Sequence, residues 1–82
     1  MRVLKFKAEW CAPCKSMTQI IKNAGDKITV PIEEIDIDHD TAAAMHYGIR
    51  SVPTMILVNE NNAEVKRKVG SMSEAQLLEF LA

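Results

Sequence analysis

Residues 2–38 switch between two kinds of apolar periodicity in an order that leaves the chain few ways to fold. RVLKFKA, residues 2–8, puts Leu4, Phe6 and Ala8 on one face and Val3, Lys5 and Lys7 on the other, the pattern of a strand. From Pro13 onward Met17, Ile20, Ile21 and Ala24 recur at helical spacing, and Gly25 supplies a stop. Pro13 suits the first turn of that helix, where its missing N–H is no loss. TVPIEEIDI then predicts a second strand ending near Asp38, and its Pro31 and paired glutamates mark it as a sheet edge. Two strands joined through a helix in this way must be parallel, and the crossover must be right-handed.

The rest of the chain adds to this unit. Asp38 or Asp40 caps a short helix over Thr41 to Tyr47, with Gly48 at its end. TMILV, residues 54–58, is a short unbroken apolar run, as expected of a strand covered on both faces. NENN makes a turn, and Val65, Arg67 and Val69 then alternate with Lys66 and Lys68, predicting a hairpin whose second arm is partly solvated. Ser73 and Gln76 form a capping box that opens a helix through Leu77, Leu78 and Leu81. The order is β-α-β-α-β-β-α, an α/β fold with one mixed sheet and helices on both faces. At 82 residues, without linker or repeat, residues 1–82 are read as a single domain.

Composition narrows the function classes. Ten basic and eleven acidic residues leave a net charge of −1, which argues against nucleic acid as a partner, because phosphate binding needs a basic surface. No stretch approaches the roughly 18 apolar residues of a membrane helix. The N-terminus interleaves charged and apolar residues and so lacks the apolar core of a signal peptide. The expected location is the cytoplasm, and nothing in the sequence demands more than a monomer.

Between the first strand and its helix stands EWCAPCK, residues 9–15. A CxxC pair can be a crosslink, half of a metal site or a reactive centre. A structural bridge closing so short a loop removes little entropy from the unfolded chain. A zinc site would have to recruit His39 and His46, whose distances from Cys14 and from each other along the chain miss the usual finger spacings. The reactive reading fits the position. The free N–H groups and positive end of the helix favour a thiolate on Cys11, expected to be open to solvent, while Cys14 lies one turn inside and acts as the resolving thiol.

EWCAPCK at a strand-to-helix junction resembles the WCGPCK site of the thioredoxin family, with Ala12 in place of glycine. YGIRSVPT, residues 47–54, is similar to the family's YGIRGIPT segment, and Pro53 stands at the position of its cis-proline. KVGSMSEAQLLEFL, residues 68–81, resembles the closing strand and helix, with Gly70 at the groove glycine, and EIDIDHD matches the end of the preceding strand. Full-length thioredoxins begin with an extra strand and helix, so this chain resembles the short, glutaredoxin-sized members. The resemblance implies a minimal thioredoxin fold with sheet order 2-1-3-4, the first and last helices sharing one face. It also implies protein disulfide reduction by dithiol exchange through Cys11 and Cys14, with no bound cofactor. The partners would be disulfide-containing proteins and an NADPH-dependent thioredoxin reductase or similar donor. The implied substrate groove has one wall of Trp10, Ala12 and Pro13, a second of Val52 and Pro53, and a third of Gly70 and Ser71.

The chain departs from the family pattern near the motif. Lys5 replaces a buried aspartate thought to take the second cysteine's proton, and Glu34 replaces the lysine that faces it, so the pair has exchanged signs across adjacent strands. Glu34, through a water, is then the expected proton acceptor for Cys14, and Lys5 keeps it ionised. Lys7 stands where many relatives have a second tryptophan, and Gln19 replaces a helix-kinking proline. Lys5, Lys7 and Lys15 together suggest a basic side suited to acidic partners. Two other readings have sequence support. Ser51-Val52-Pro53 resembles the segment of a glutathione-dependent glutaredoxin, though only Gly70-Ser71 remains of its glycine pair. A non-catalytic interaction module would use Met17, Met45, Met55 and Met72 as adaptable contacts.

Overall fold

The first strand, β1 (Arg2–Lys7), is the centre of the molecule, and its four inner residues are buried on both faces. It pairs in parallel with β2 (Ile32–Asp36) and antiparallel with β3 (Thr54–Val58), which pairs antiparallel with β4 (Glu64–Val69). The sheet order is β2-β1-β3-β4, as expected. These elements come from a computed structural model that describes residues Met1–Ala82.

Alternation along β1 divides the core into two layers. Val3 points to the side of Met55 and Leu57, where α1 (Ala12–Ala24) contributes Met17 and Ala24 and α3 (Glu74–Leu81) contributes Leu77. Leu4 and Phe6 point to the other side with Ile35, Ile56 and Val58, covered by α2 (Thr41–His46) through Ala43 and by Tyr47. The first and last helices therefore share one face. Met17, Met55 and Met72 belong to this core and are not a contact surface; Met45 alone of that set is exposed.

Local chemistry starts each of these helices where the sequence indicates. Asp40 caps α2 by accepting the Ala43 N–H at 3.0 Å. In α3 both halves of the capping box form, Ser73 Oγ accepting from the Gln76 N–H at 3.1 Å and Gln76 Oε1 from the Ser73 N–H at 2.9 Å. No helix is long and apolar enough to cross a membrane.

One expectation needs correction. The second strand begins at Ile32 and not in Thr29–Pro31; Pro31 has no N–H to give, and its carbonyl instead accepts from Val3 N–H at 2.8 Å just ahead of the ladder. β4 is the partly solvated arm that the sequence predicts. Val65 and Val69 are exposed, because α2 is too short to reach that edge. Lys66 and Lys68 take the face of Leu57 and Met55, and the Lys66 ammonium lies 5.1 Å from the Phe80 ring centre. Arg67 fastens the opposite face, donating to the Tyr47 carbonyl at 2.6 Å and to Glu64 at 2.6 Å. This pairing lowers the Glu64 carboxyl and raises the Arg67 guanidinium from their ordinary values.

The anomaly of the core is Lys5, whose side chain is 0% exposed. Its ammonium donates to Thr18 Oγ1 and lies 3.5 Å from Glu34 Oε1. Burial lowers its pKa from 10.5, opposed by the Glu34 charge and hydrogen bond. The folded chain thus binds fewer protons than the unfolded chain between the lowered value and 10.5, and stability rises with pH through that window. Replacing this buried charge with an apolar side chain of similar length is therefore expected to stabilise the oxidised protein near pH 7, because the Glu34 left behind is part-exposed and keeps Lys7 at 3.8 Å. Urea unfolding of Lys5→Met against the parent should show this gain, and the gain should shrink as pH approaches 10.5. A variant less stable at pH 7, or a gap that widens with pH, would contradict the account.

Candidate active site

The junction between β1 and α1 sets the chemistry. Ala8 remains in the core, and its carbonyl accepts the Cys11 N–H at 3.1 Å, turning the chain out of the sheet. Cys11 is the N-cap of α1, in extended backbone geometry (φ −94°, ψ 104°), and its Sγ accepts the Cys14 N–H at 3.1 Å. A sulfur therefore takes the place that a serine or aspartate oxygen takes at most helix starts. Pro13 occupies the first turn without wasting a donor, and no acidic residue there offsets the positive end of the helix. Everything at this terminus favours negative charge on Cys11.

Cys11 and Cys14 are joined as a disulfide, with Cα atoms 5.2 Å apart. The expectation of an open Cys11 is corrected in this state: the residue is 4% exposed and Cys14 2%. The bonded pair clusters with Ala8, and Ile37 and Val52 pack against it. Around this plug the surface is open, with Trp10 69% exposed and Ala12 and Pro13 exposed.

The remaining groove residues converge on the same place. The Val52–Pro53 bond is cis. Neither the N–H nor the C=O of Val52 enters a backbone hydrogen bond within the chain. Gly70 (φ 92°) donates its N–H to the Pro53 carbonyl at 2.8 Å, which brings the end of β4 against the proline loop, and Ser71 next to it is exposed. The Met72 N–H, directed at Met17 Sδ at 3.2 Å, ties this third segment to α1.

Lys5 and Glu34 face each other in the β1–β2 register. A cleft of about 190 Å³ brings Cys14 and Glu34 together, with Lys7, Ala8, Glu9, Lys15 and Thr18 completing its lining. Lys5 lies beneath it, behind Thr18. The basic side expected from Lys5, Lys7 and Lys15 does not form. Lys5 is buried, and Lys7 is engaged by Glu9 at 3.4 Å and Glu34 at 3.8 Å, leaving Lys15 exposed. Gln19 reaches Asn23 on the outer face of an uninterrupted α1.

Two site residues escape the sequence reading. Asp38 accepts the Trp10 indole N–H at 3.1 Å and so holds the exposed ring; the pairing spans two loops and leaves no local signal. Thr18 both accepts from Lys5 and donates to the Cys14 carbonyl at 3.2 Å. Its place one turn after Cys14 was the available clue. His39 precedes α2 and His46 is its last residue, and no three His, Cys, Asp or Glu side chains converge as a ligand set.

Known proteins share this arrangement. The thioredoxin family model matches residues 1–82. A thioredoxin of Mycolicibacterium smegmatis is 37% identical over 84 residues, covering 98% of this chain and 74% of its own length. One of Chlamydia caviae is 35% identical over 80 residues, covering 96% and 78%. Among solved structures, a mutant thioredoxin from Halobacterium salinarum superposes with a TM-score of 0.86 at 29% identity, over 96% of this chain and 69% of that one. Reduced Schistosoma mansoni thioredoxin pre-protein gives 0.84 at 30% identity, over 96% and 73%. With the family model spanning the chain and the CxxC pair closed as a disulfide at a helix start, this chain belongs to the thioredoxin family and is a protein thiol–disulfide oxidoreductase.

Proposed function

We propose that the chain, acting as one thioredoxin-like unit, reduces protein disulfides in the cytoplasm as a monomer, with Cys11 as nucleophile and Cys14 as resolving thiol. The observation that carries these roles is the Cys11 Sγ at the N-cap, accepting the Cys14 N–H. That bond and the helix terminus stabilise a thiolate on Cys11 but offer nothing comparable to Cys14.

In the first exchange the Cys11 thiolate attacks one sulfur of the partner's disulfide, and the other partner sulfur leaves as a thiolate. In the second, Cys14 loses its proton and attacks the Cys11 sulfur, forming Cys11–Cys14 and releasing the second partner thiolate, which takes up a proton. Two electrons pass from the dithiol to the partner. No bound cofactor enters, and a separate donor, such as an NADPH-dependent thioredoxin reductase, restores the dithiol.

The groove supplies the geometry for the first step. An extended partner segment pairs with the free backbone groups of Val52, while Trp10, Ala12, Pro13, Pro53, Gly70 and Ser71 form the walls. Glu34 serves the second step. It is the only carboxylate besides Glu9 on the cleft that reaches Cys14, and a water in that cleft carries the proton to it, with the Lys5 and Lys7 ammonium groups 3.5 and 3.8 Å from its oxygens.

Two outcomes are expected. Cys14→Ser should accumulate covalent complexes with disulfide-containing proteins through Cys11, seen on non-reducing gels and dissolved by dithiothreitol, whereas Cys11→Ser should capture none. Complexes held through Cys14, or none with either variant, would overturn the roles. Separately, Glu34→Gln should slow mixed-disulfide resolution about ten- to a hundredfold between pH 6 and 8, since a positioned acid–base group is worth at least 10²-fold and water replaces part of it. An unchanged rate across that range removes Glu34 from proton transfer.

A further inference from the structure

Thr18 has no part in the exchange described above, yet it joins the two most buried polar features of the site. Its Oγ1 accepts from the Lys5 ammonium, and its own hydroxyl donates to the Cys14 carbonyl at 3.2 Å. Thr18 also lines the cleft shared by Cys14 and Glu34. Lys5 is 0% exposed and has only two side-chain acceptors, Thr18 and Glu34, of which Glu34 is the more distant at 3.5 Å and is shared with Lys7. An ammonium in that setting needs its nearest acceptor to stay where it is.

We propose that Thr18 is a positioning residue for the resolving step: it fixes the Lys5 ammonium beneath the first turn of α1, so that the thiolate forming on Cys14 meets a buried positive charge. The step itself is the one already balanced. Cys14 gives up its proton, its sulfur bonds to Cys11, and the partner sulfur departs with the electron pair of the broken bond. In this step negative charge forms on Cys14, which is 2% exposed, and that charge is what a fixed cation stabilises. The family resemblance assigns this place to an aspartate, whose negative charge acts in the opposite sense. Here the thiolate is favoured electrostatically, and a carboxylate is needed only to receive the proton.

The ionisable groups facing Cys14 and Lys5 are Lys7 from β1, Glu9 from the following loop, Lys15 from α1 and Glu34 from β2. The β3 neighbour of Lys5 is Met55, and α3 meets this layer through Leu77, so neither adds a charge. The proposal rests on Cys14 being the resolving thiol.

The test uses the reduced full chain and 5,5′-dithiobis(2-nitrobenzoate). The first nitrothiolate is released when Cys11 attacks the reagent, and the second when Cys14 displaces it from Cys11, so stopped-flow absorbance resolves the two steps. Thr18→Val should slow the second release about three- to tenfold at pH 7, the scale of one hydrogen bond, and move its pH midpoint upward. The first release should be unchanged, and Thr18→Ser, which restores a hydroxyl, should return both quantities to the parent values. Lys5→Met should slow the second release in the same sense. A second-release profile in Thr18→Val that matches the parent overturns the proposal, as does equal slowing of both releases or failure of Thr18→Ser to rescue. If the parent releases no second equivalent by intramolecular displacement, the assignment of Cys14 has failed instead. A normal profile in Glu34→Gln alongside a shifted one in Thr18→Val supports Thr18 and removes only the carboxylate acceptor.

Discussion

A single hydrogen bond, from the Cys14 N–H to the sulfur of Cys11, connects the fold to its chemistry. It exists because Ala8, just past the end of β1, stays in the core and the chain then turns into α1, making residue 11 the N-cap. Oxygen is the usual acceptor at such a place. Putting sulfur there makes the structural need of the helix, an acceptor for its first amides, the same as the chemical need of the reaction, a stabilised thiolate. In the disulfide form this sulfur lies against Val52 of the proline loop.

The layers around this point have different tolerances. Beneath α1 the core is apolar except at Lys5, which is roofed by Thr18 and faces Glu34 across the edge of the sheet. A lysine in that position destabilises the fold relative to an apolar residue, and a chain this small has little stability to spare. The use proposed for that charge is in the reaction, where negative charge appears on Cys14. On the opposite face, α2 is short, and Arg67 rather than packing fixes it to β4, which leaves Val65 and Val69 uncovered.

Most of the architecture was legible because it follows from local chemistry. Periodicity located β1, α1 and β4, the unbroken run TMILV located β3, the capping box at Ser73 and the cap at Asp40 marked helix starts, and Pro31 marked the edge strand. The misjudgements are where tertiary context decides. Lys5 reads as a surface residue in a basic patch until β3 and α1 close over it. Cys11 reads as open until Val52 and Ile37 are packed against the disulfide. Of the site, the cysteines and the Lys5–Glu34 pair could be read from the chain, whereas the Trp10–Asp38 and Lys5–Thr18 bonds join segments with no sequence signal in common.

Burial of Cys11 in the disulfide form makes its behaviour after reduction the decisive question. Alkylation of the reduced protein by iodoacetamide as a function of pH, with the modified residue located by mass spectrometry, measures both the acidity and the accessibility of the sulfur. A helix terminus holding Cys11 as a thiolate predicts that Cys11 reacts before Cys14, with a midpoint well below the ~8.5 of a free cysteine. A midpoint at or above that value, or a folded dithiol that resists alkylation altogether, would contradict the account.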